Sequence, residues 1–478
     1  MNYRMIKTTL GWILLFEAVF LLMPTVAALA FREDVLAAFL WSMLVCVACG
    51  LLLISTFKPH STTLRARDGF VIVSLSWIVM SLFGALPFWV SQQIPQFIDA
   101  LFETVSGFTT TGASILASVE AMPRSMLLWR SFIHWVGGMG VLVFVMAILP
   151  LSGGQNMHIM RAESPGPTVS KLVPRVRTTA LLLYAIYFVL TLIEFILLLT
   201  GGMTVFEAMN TAFSTAGTGG FGFYNDSMAS FSSYLQIVIG VFMLLFSLNF
   251  GSYFLALRGK WRDALNSEVR TFLLIVAGAV ALVAWNIRGL FDTVGEAIRH
   301  AFFTVSSIIS TTGFASTDFD LWPTFSKTLL VLLMFIGACA GSTGGGIKVS
   351  RLVILFKGIG REMRTAIHPK QVKKVTVDGR DVEREVVGSV FVYMVCMVIV
   401  FSLSVLIVSL DGHDFTTNFT AVSATVNNIG PGLSGVGPTQ NFSSFSVLSK
   451  LVLIFDMLAG RLELFPMLIL FSPTTWKK

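Results

Sequence analysis

Apolar runs long enough to cross a bilayer recur from one end of this chain to the other, and that recurrence limits its fold more than any other feature. About 20 apolar residues in a helix span the ~30 Å of hydrocarbon, where each backbone amide and carbonyl must be satisfied inside the protein. Runs near 10–31, 35–57, 70–90, 126–150, 179–200, 232–257, 271–290, 326–356, 387–410 and 446–471 predict an all-α polytopic membrane protein of ten spans. Only 12% of the residues are charged and 55% are hydrophobic, which excludes an ordinary soluble domain.

Charge placement orients those spans. An even number returns the chain to its starting side, so both termini share a compartment. Basic residues gather on that face: Arg4, Lys7, Lys58, Arg65 and Arg67; Arg161, Lys171, Arg175 and Arg177; Arg258, Lys260, Arg262 and Arg270; the 348–384 connection; and Lys477 with Lys478. The opposite face has only Arg32, Arg124, Arg130, Arg288, Arg299, Lys327 and Lys450, and the positive-inside rule predicts cytoplasmic termini. The formal charge of +7 is then topological and no sign of nucleic-acid binding. Outer carboxylates such as Asp99, Glu103, Asp318 and Asp414 would draw cations to that face, although external loops are commonly less basic in any case. The N-terminal run imitates a cleavable signal, but it is long, Glu17 interrupts it, and its loss would put the lysine-rich C-terminus outside. Cys46 and Cys49 lie within an apolar run with no second metal-ligating pair, which points to packing.

Four stretches between spans are too short to cross and too apolar for loops. With Gly112, Gly217, Gly313 and Gly430 aligned, the residues four before are Phe108, Phe213, Ile309 and Val426, and eleven before stand Leu101, Phe206, Phe302 and Phe419. Steps of three and four mark one helix face. Each helix would stop mid-membrane and return as extended backbone, which is tolerated only where it lines a cavity or binds something. The result is a fourfold repeat of span, half-helix, turn and span. We divide the chain into an N-terminal helix pair (1–66), pore repeat 1 (67–154), repeat 2 (155–260), repeat 3 (261–357), a cytoplasmic connection (358–385) and repeat 4 (386–478).

Around one axis, four such turns would stack rings of carbonyl oxygens able to replace the water around an alkali cation, with the negative helix C-termini aimed at it. Glycine at the turn leaves its carbonyl free to point inward. The sequence resembles the Trk/Ktr/HKT superfamily of potassium transporters and channels, most closely its bacterial TrkH branch, over essentially the whole chain. The resemblance implies filter segments at Thr110, Thr111, Gly112 and Ala113; Thr215, Ala216, Gly217 and Thr218; Thr311, Thr312, Gly313 and Phe314; and Asn428, Ile429, Gly430 and Pro431. Glycine at all four centres implies K+ preference over Na+. The fourth filter departs from the others in having Asn428 and Ile429.

The eighth span contains Gly341, Ser342, Thr343, Gly344, Gly345 and Gly346 within the glycine-rich stretch 337–348, and should unwind there or kink. Its spacing imitates a phosphate loop, but Ile347 interrupts the motif and no βαβ context exists. Arg461 lies in the last span, where a charge costs ~2.5–3.5 kcal/mol and demands partners. On a continuous helix it turns away from Asp456 and Glu463 and toward the pore, although pairing with Glu463 across a repeat interface is the alternative. The resemblance implies that Arg461 and the glycine loop together narrow the permeation path. It also implies a homodimer in the bacterial inner membrane and a cytosolic TrkA-like nucleotide-binding partner, which the basic 348–384 connection could meet.

Nothing in the chain resembles a nucleophile–base pair or metal cluster, so we expect no enzyme and no covalent cofactor, only K+ as cargo. His134, His300 and His413 lack a common spacing and read as loop or interfacial groups. Glu17 and Glu194 lie in spans, where they pack or serve a proton path. The two function classes are uptake driven by membrane potential and an ion-coupled (H+ or Na+) secondary transporter. Parallel rather than inverted repeats favour the first.

Overall fold

The computed structural model describes residues 1–57, 65–140, 176–369 and 374–476. It is built almost wholly of helices. Among the described residues six helices are long and apolar enough to cross a membrane: Tyr3–Phe31, Leu36–Thr56, Arg67–Val90, Thr178–Thr200, Ser267–Ile287 and Arg384–Asp411. These are the N-terminal pair and the first span of each repeat.

Of the other four expected spans, those of repeats 2, 3 and 4 are interrupted, the third repeat's where its glycines predict an unwound stretch. In repeat 1 the helix Arg124–Gly138 is followed by Gly140 at φ +77°, and the remainder of that expected span, 141–150, lies outside the described residues. In repeat 2, Ser233–Ser247 and Phe250–Leu257 meet at 91°. Repeat 3 has Thr324–Phe335, a non-helical stretch, then Val349–Ile367. Repeat 4 breaks between Val447–Arg461 and Phe465–Phe471, where Glu463 and Leu464 take φ of +57° and +65°. Hydropathy averages over such breaks, because the residues flanking them are as apolar as those of an intact helix.

The half-helices are Phe97–Phe108, Val205–Gly217, Val294–Ile309 and Phe415–Val426. Three start on side-chain caps that satisfy the open amides of a first turn: Thr204 with Glu207 in a reciprocal box, Thr293 and Asp414. Each packs against the second span of a repeat through small residues, as helices do where lipid supplies no hydrophobic drive. A side chain on Gly137 would strike the Phe108 carbonyl at 1.9 Å, and one on Gly460 the Val426 carbonyl at 2.0 Å. The connection between repeats 3 and 4 carries a small hairpin, Thr376–Val377 paired with Arg380–Asp381, turned by Asp378 and Gly379 at positive φ. Arg161, Lys171, Arg175, Lys58, Lys370, Lys373, Lys477 and Lys478 lie outside the described residues, or their side chains do in the case of Arg177.

A candidate ion path

All four half-helices end in the same two hydrogen bonds. The amides of Thr110, Thr218, Thr311 and Asn428 donate three residues back, to Gly107, Thr215, Ile308 and Thr425, and each of these four residues is left-handed, with φ of 54–61°. The next amides, on Thr111, Gly219, Thr312 and Ile429, donate five residues back at 2.8–2.9 Å. This paired closure is the Schellman ending, here made with Thr or Asn where Gly is usual, at a cost of about 1–2 kcal/mol each. Strain of this kind persists where surrounding structure over-determines it.

The closure fixes the register, and it corrects repeat 2. Gly217 is the last residue of its half-helix, and the residue equivalent to Gly112 (φ +81°), Gly313 (+85°) and Gly430 (+94°) is Gly220 (+73°). The turn of repeat 2 is therefore Thr218, Gly219, Gly220 and Phe221, while Thr215 and Ala216 are helical. The sequence offers Gly217, Gly219 and Gly220 together, and helix-face spacing does not choose among them. The Thr two residues before the glycine and the Phe after it, as in Thr311 and Phe314, were the available signal.

With that register the four turns close on one another. A β-carbon on Gly112 would lie 1.9 Å from the Gly219 carbonyl oxygen, one on Gly220 1.9 Å from that of Thr312, one on Gly313 2.1 Å from that of Ile429, and one on Gly430 2.8 Å from that of Thr111. Repeat 1 thus abuts repeat 2, 2 abuts 3, 3 abuts 4 and 4 abuts 1. A cavity of about 140 Å³ is lined by all four glycines and by the return limbs that follow them, including Ala113 and Pro431. Phe314 is fully buried.

Below the ring lies the glycine-rich stretch of repeat 3, residues 336–348, non-helical as the sequence suggests. Its ends are tied by the Gly337 amide on the Ile347 carbonyl at 2.9 Å. It reaches into the break of repeat 2. The Cys339 amide donates to the Ser247 carbonyl (3.0 Å), the Thr343 hydroxyl to that of Phe246 (3.1 Å), and the Phe250 amide to that of Gly341 (3.0 Å). Glu268 anchors both ends, accepting from the amides of Ala340 at 2.7 Å and Ser350 at 3.0 Å. Lys348, 2% exposed, donates to the carbonyls of Gly344 and Gly345. The Ser342 hydroxyl donates to Cys339, and Gly346 makes the closing turn at φ +70°. The tip touches the ring itself, with the Gly345 amide 2.7 Å from the Thr311 hydroxyl.

Arg461 stands across from that contact. Its guanidinium donates to the Thr343 carbonyl of the loop (2.7 Å), to the Gly137 and Gly138 carbonyls at the end of the helix Arg124–Gly138 (2.5 and 2.6 Å), and to the Thr110 hydroxyl at the base of the first turn (3.3 Å). Glu463 pairs with Arg351, and Asp456 accepts from Ser404 at 2.7 Å. The helical-face argument for Glu463 does not apply, because the helix ends at Arg461. A cavity of about 70 Å³ is bounded by the loop, Gly138, Lys348 and Arg461.

Sequence reasoning passed over Glu268, whose position at the end of a span looks like an ordinary interfacial charge, and counted Lys348 only as the end of the glycine-rich stretch and the start of the basic connection. It also misjudged His134. His134 is fully buried, stacked on Phe221 at 4.2 Å behind the second turn, and His300 bonds Ser316 at 2.9 Å. His134 lies inside the helix Arg124–Gly138, so it lacks the exposure a loop would give. Among the described residues no group of His, Cys, Asp or Glu could hold a metal ion.

Interrupted spans, re-entrant half-helices and one ring of backbone carbonyls define a membrane transport protein of the pore-loop kind. The cation transport protein family TrkH matches residues 36–478, and the chain belongs to that family. It is 37% identical to the Trk system potassium uptake protein TrkH of Salmonella typhimurium and 35% to TrkG of Escherichia coli, with full coverage of this chain and 100% and 99% of theirs. The crystal structure of the potassium transporter TrkH from Vibrio parahaemolyticus superimposes with a TM-score of 0.90 at 34% identity, covering all of both chains.

Proposed function

We propose that this chain carries K+ into the cell through the carbonyl ring, down the membrane potential. The cyclic contact of the four glycines with the four neighbouring carbonyls carries the reading, because only a single axis lets each turn touch the next. Residues 110–113, 218–221, 311–314 and 428–431 then supply the oxygens that replace the ion's hydration. Moving one charge inward across 100 mV yields ~2.3 kcal/mol, so accumulation needs no coupled ion. The loop at 341–346 and Arg461 form the gate, the arginine opposing cations until the loop shifts.

Cytoplasmic termini in a bacterial inner membrane follow from the basic connections. A second copy of the chain and a TrkA-like cytosolic subunit are the partners we assign. Purified protein in liposomes, with Rb+ uptake measured under an imposed potential and Na+ as competitor, tests the reading. Uptake that follows the potential and resists Na+ supports it. Uptake that instead requires an imposed proton or Na+ gradient replaces it with coupled transport.

A further inference from the structure

Close to its glycine each return limb is tied back to its own half-helix, in repeats 2, 3 and 4 by a hydroxyl. In repeats 2 and 3 a half-helix serine, Ser214 or Ser307, donates to the carbonyl just after the glycine, Phe221 (2.9 Å) or Phe314 (2.6 Å). In repeat 4, where alanine (Ala424) takes that place, the Thr420 hydroxyl bonds both the amide and the carbonyl of Leu433. In repeat 1 the matching Ser106 hydroxyl has no partner, and the limb is held by a carboxylate instead. Glu103, fully buried on the half-helix, accepts from the Ser114 hydroxyl (3.0 and 3.1 Å) and from the Ile115 amide (3.0 Å).

The same carboxylate binds Arg130, at 2.8 Å from Nε and 2.7 Å from Nη2, with the guanidinium side chain only 2% exposed. Arg130 in turn reaches repeat 2. It donates to the Gly222 carbonyl at 3.2 Å and lies 4.0 Å over the Phe221 ring. The matching half-helix positions in the other repeats are Thr211, Thr304 and Ala421, none able to hold a cation this way. A buried pair whose partners are all satisfied contributes geometry more than stability, and removing one member leaves a charge stranded.

We infer that Glu103 and Arg130 are positioning residues that lock the return limbs of repeats 1 and 2 together, and so set how well the ring tells K+ from Na+. This rests on the filter reading above. The pair touches no permeating ion. It fixes the backbone whose carbonyls do, joining Ser114 and Ile115 on one side to Phe221 and Gly222 on the other.

The test is the ratio of Na+ to Rb+ uptake by the full-length protein in liposomes. Glu103→Gln keeps the size and the Ser114 contact but removes the charge; Arg130→Lys keeps the charge but loses the Gly222 bond and the Phe221 stack. Both should raise the ratio at least tenfold in protein that elutes as wild type does. A merely structural role would lower both fluxes together and leave the ratio unmoved. Two well-folded variants with the wild-type ratio overturn the inference. If Glu103→Gln does not fold, Arg130→Lys and Ser114→Ala decide it by the same ratio. A wild-type protein that passes Na+ and Rb+ equally removes the filter reading itself, which is a different failure.

Discussion

Replacing Gly313 by alanine tests the ring most directly. The new β-carbon would stand 2.1 Å from the Ile429 carbonyl oxygen and 2.8 Å from Pro431, so the gap to repeat 4 must open by about 1 Å before ordinary contact is reached. Alanine at φ +85° adds about 1–2 kcal/mol of backbone strain. Strain alone is separable, because Gly412 has φ +77° and nothing within 4 Å of its would-be β-carbon. Gly412→Ala therefore suffers the same strain without touching a carbonyl. A cation that loses one charge-assisted oxygen contact loses about 1.5–3 kcal/mol. Rb+ uptake against Na+ should then fall roughly ten- to hundredfold in Gly313→Ala and stay at the wild-type level in Gly412→Ala. The assay is tracer uptake in liposomes, with thermal stability of the detergent-solubilised protein measured in parallel. Selective uptake surviving in folded Gly313→Ala, or lost equally in both variants, would refute the ring.

The corrected register of repeat 2 predicts that Gly220→Ala damages selective uptake, whereas Thr215→Ala, whose hydroxyl bonds the Thr211 carbonyl within the helix, changes it less than about twofold by the same assay. Arg461→Ala removes the bond to Thr343, a charge-assisted contact of about 1.5–3 kcal/mol, and should raise uptake about tenfold or more; unchanged uptake there and after shortening residues 342–345 removes the gate. Asp414 is held below the usual carboxylate range by hydrogen bonds from Thr417, its hydroxyl first. Its support for the fourth half-helix is thus complete above about pH 4 and lost as pH falls through its lowered value. Acid unfolding of Asp414→Asn should show a shallower loss on that limb, and a curve parallel to wild type would contradict the assignment.

The sequence showed the architecture because its main determinants are local and periodic. Spans of about 20 apolar residues and half-helices with a 3.6-residue face are forced by the bilayer, and both are visible without tertiary information. The glycine-rich stretch of repeat 3 was legible for the same reason, since no lipid-facing helix carries so many glycines. The breaks at Ser247 and Glu463 were not. They are set by what each segment meets in the fold: the 91° bend after Ser247 frees carbonyls that Cys339 and Thr343, distant in sequence, then satisfy. Repeat 2 was misaligned because three glycines within four residues look equivalent until a Schellman bond selects one. The Glu103–Arg130 pair was hidden because an acid and a base on an outer face read as loop charges, and only the packing of two helices buries them.

The four quarters of the ring belong to one polypeptide. In a channel assembled from identical subunits, any change in the gene alters every quarter at once, and most such changes are ruinous. Here a mutation alters a single quarter and leaves three intact. Ion preference can therefore drift in small steps, and the unlike fastenings of the four limbs are the variation such a history permits.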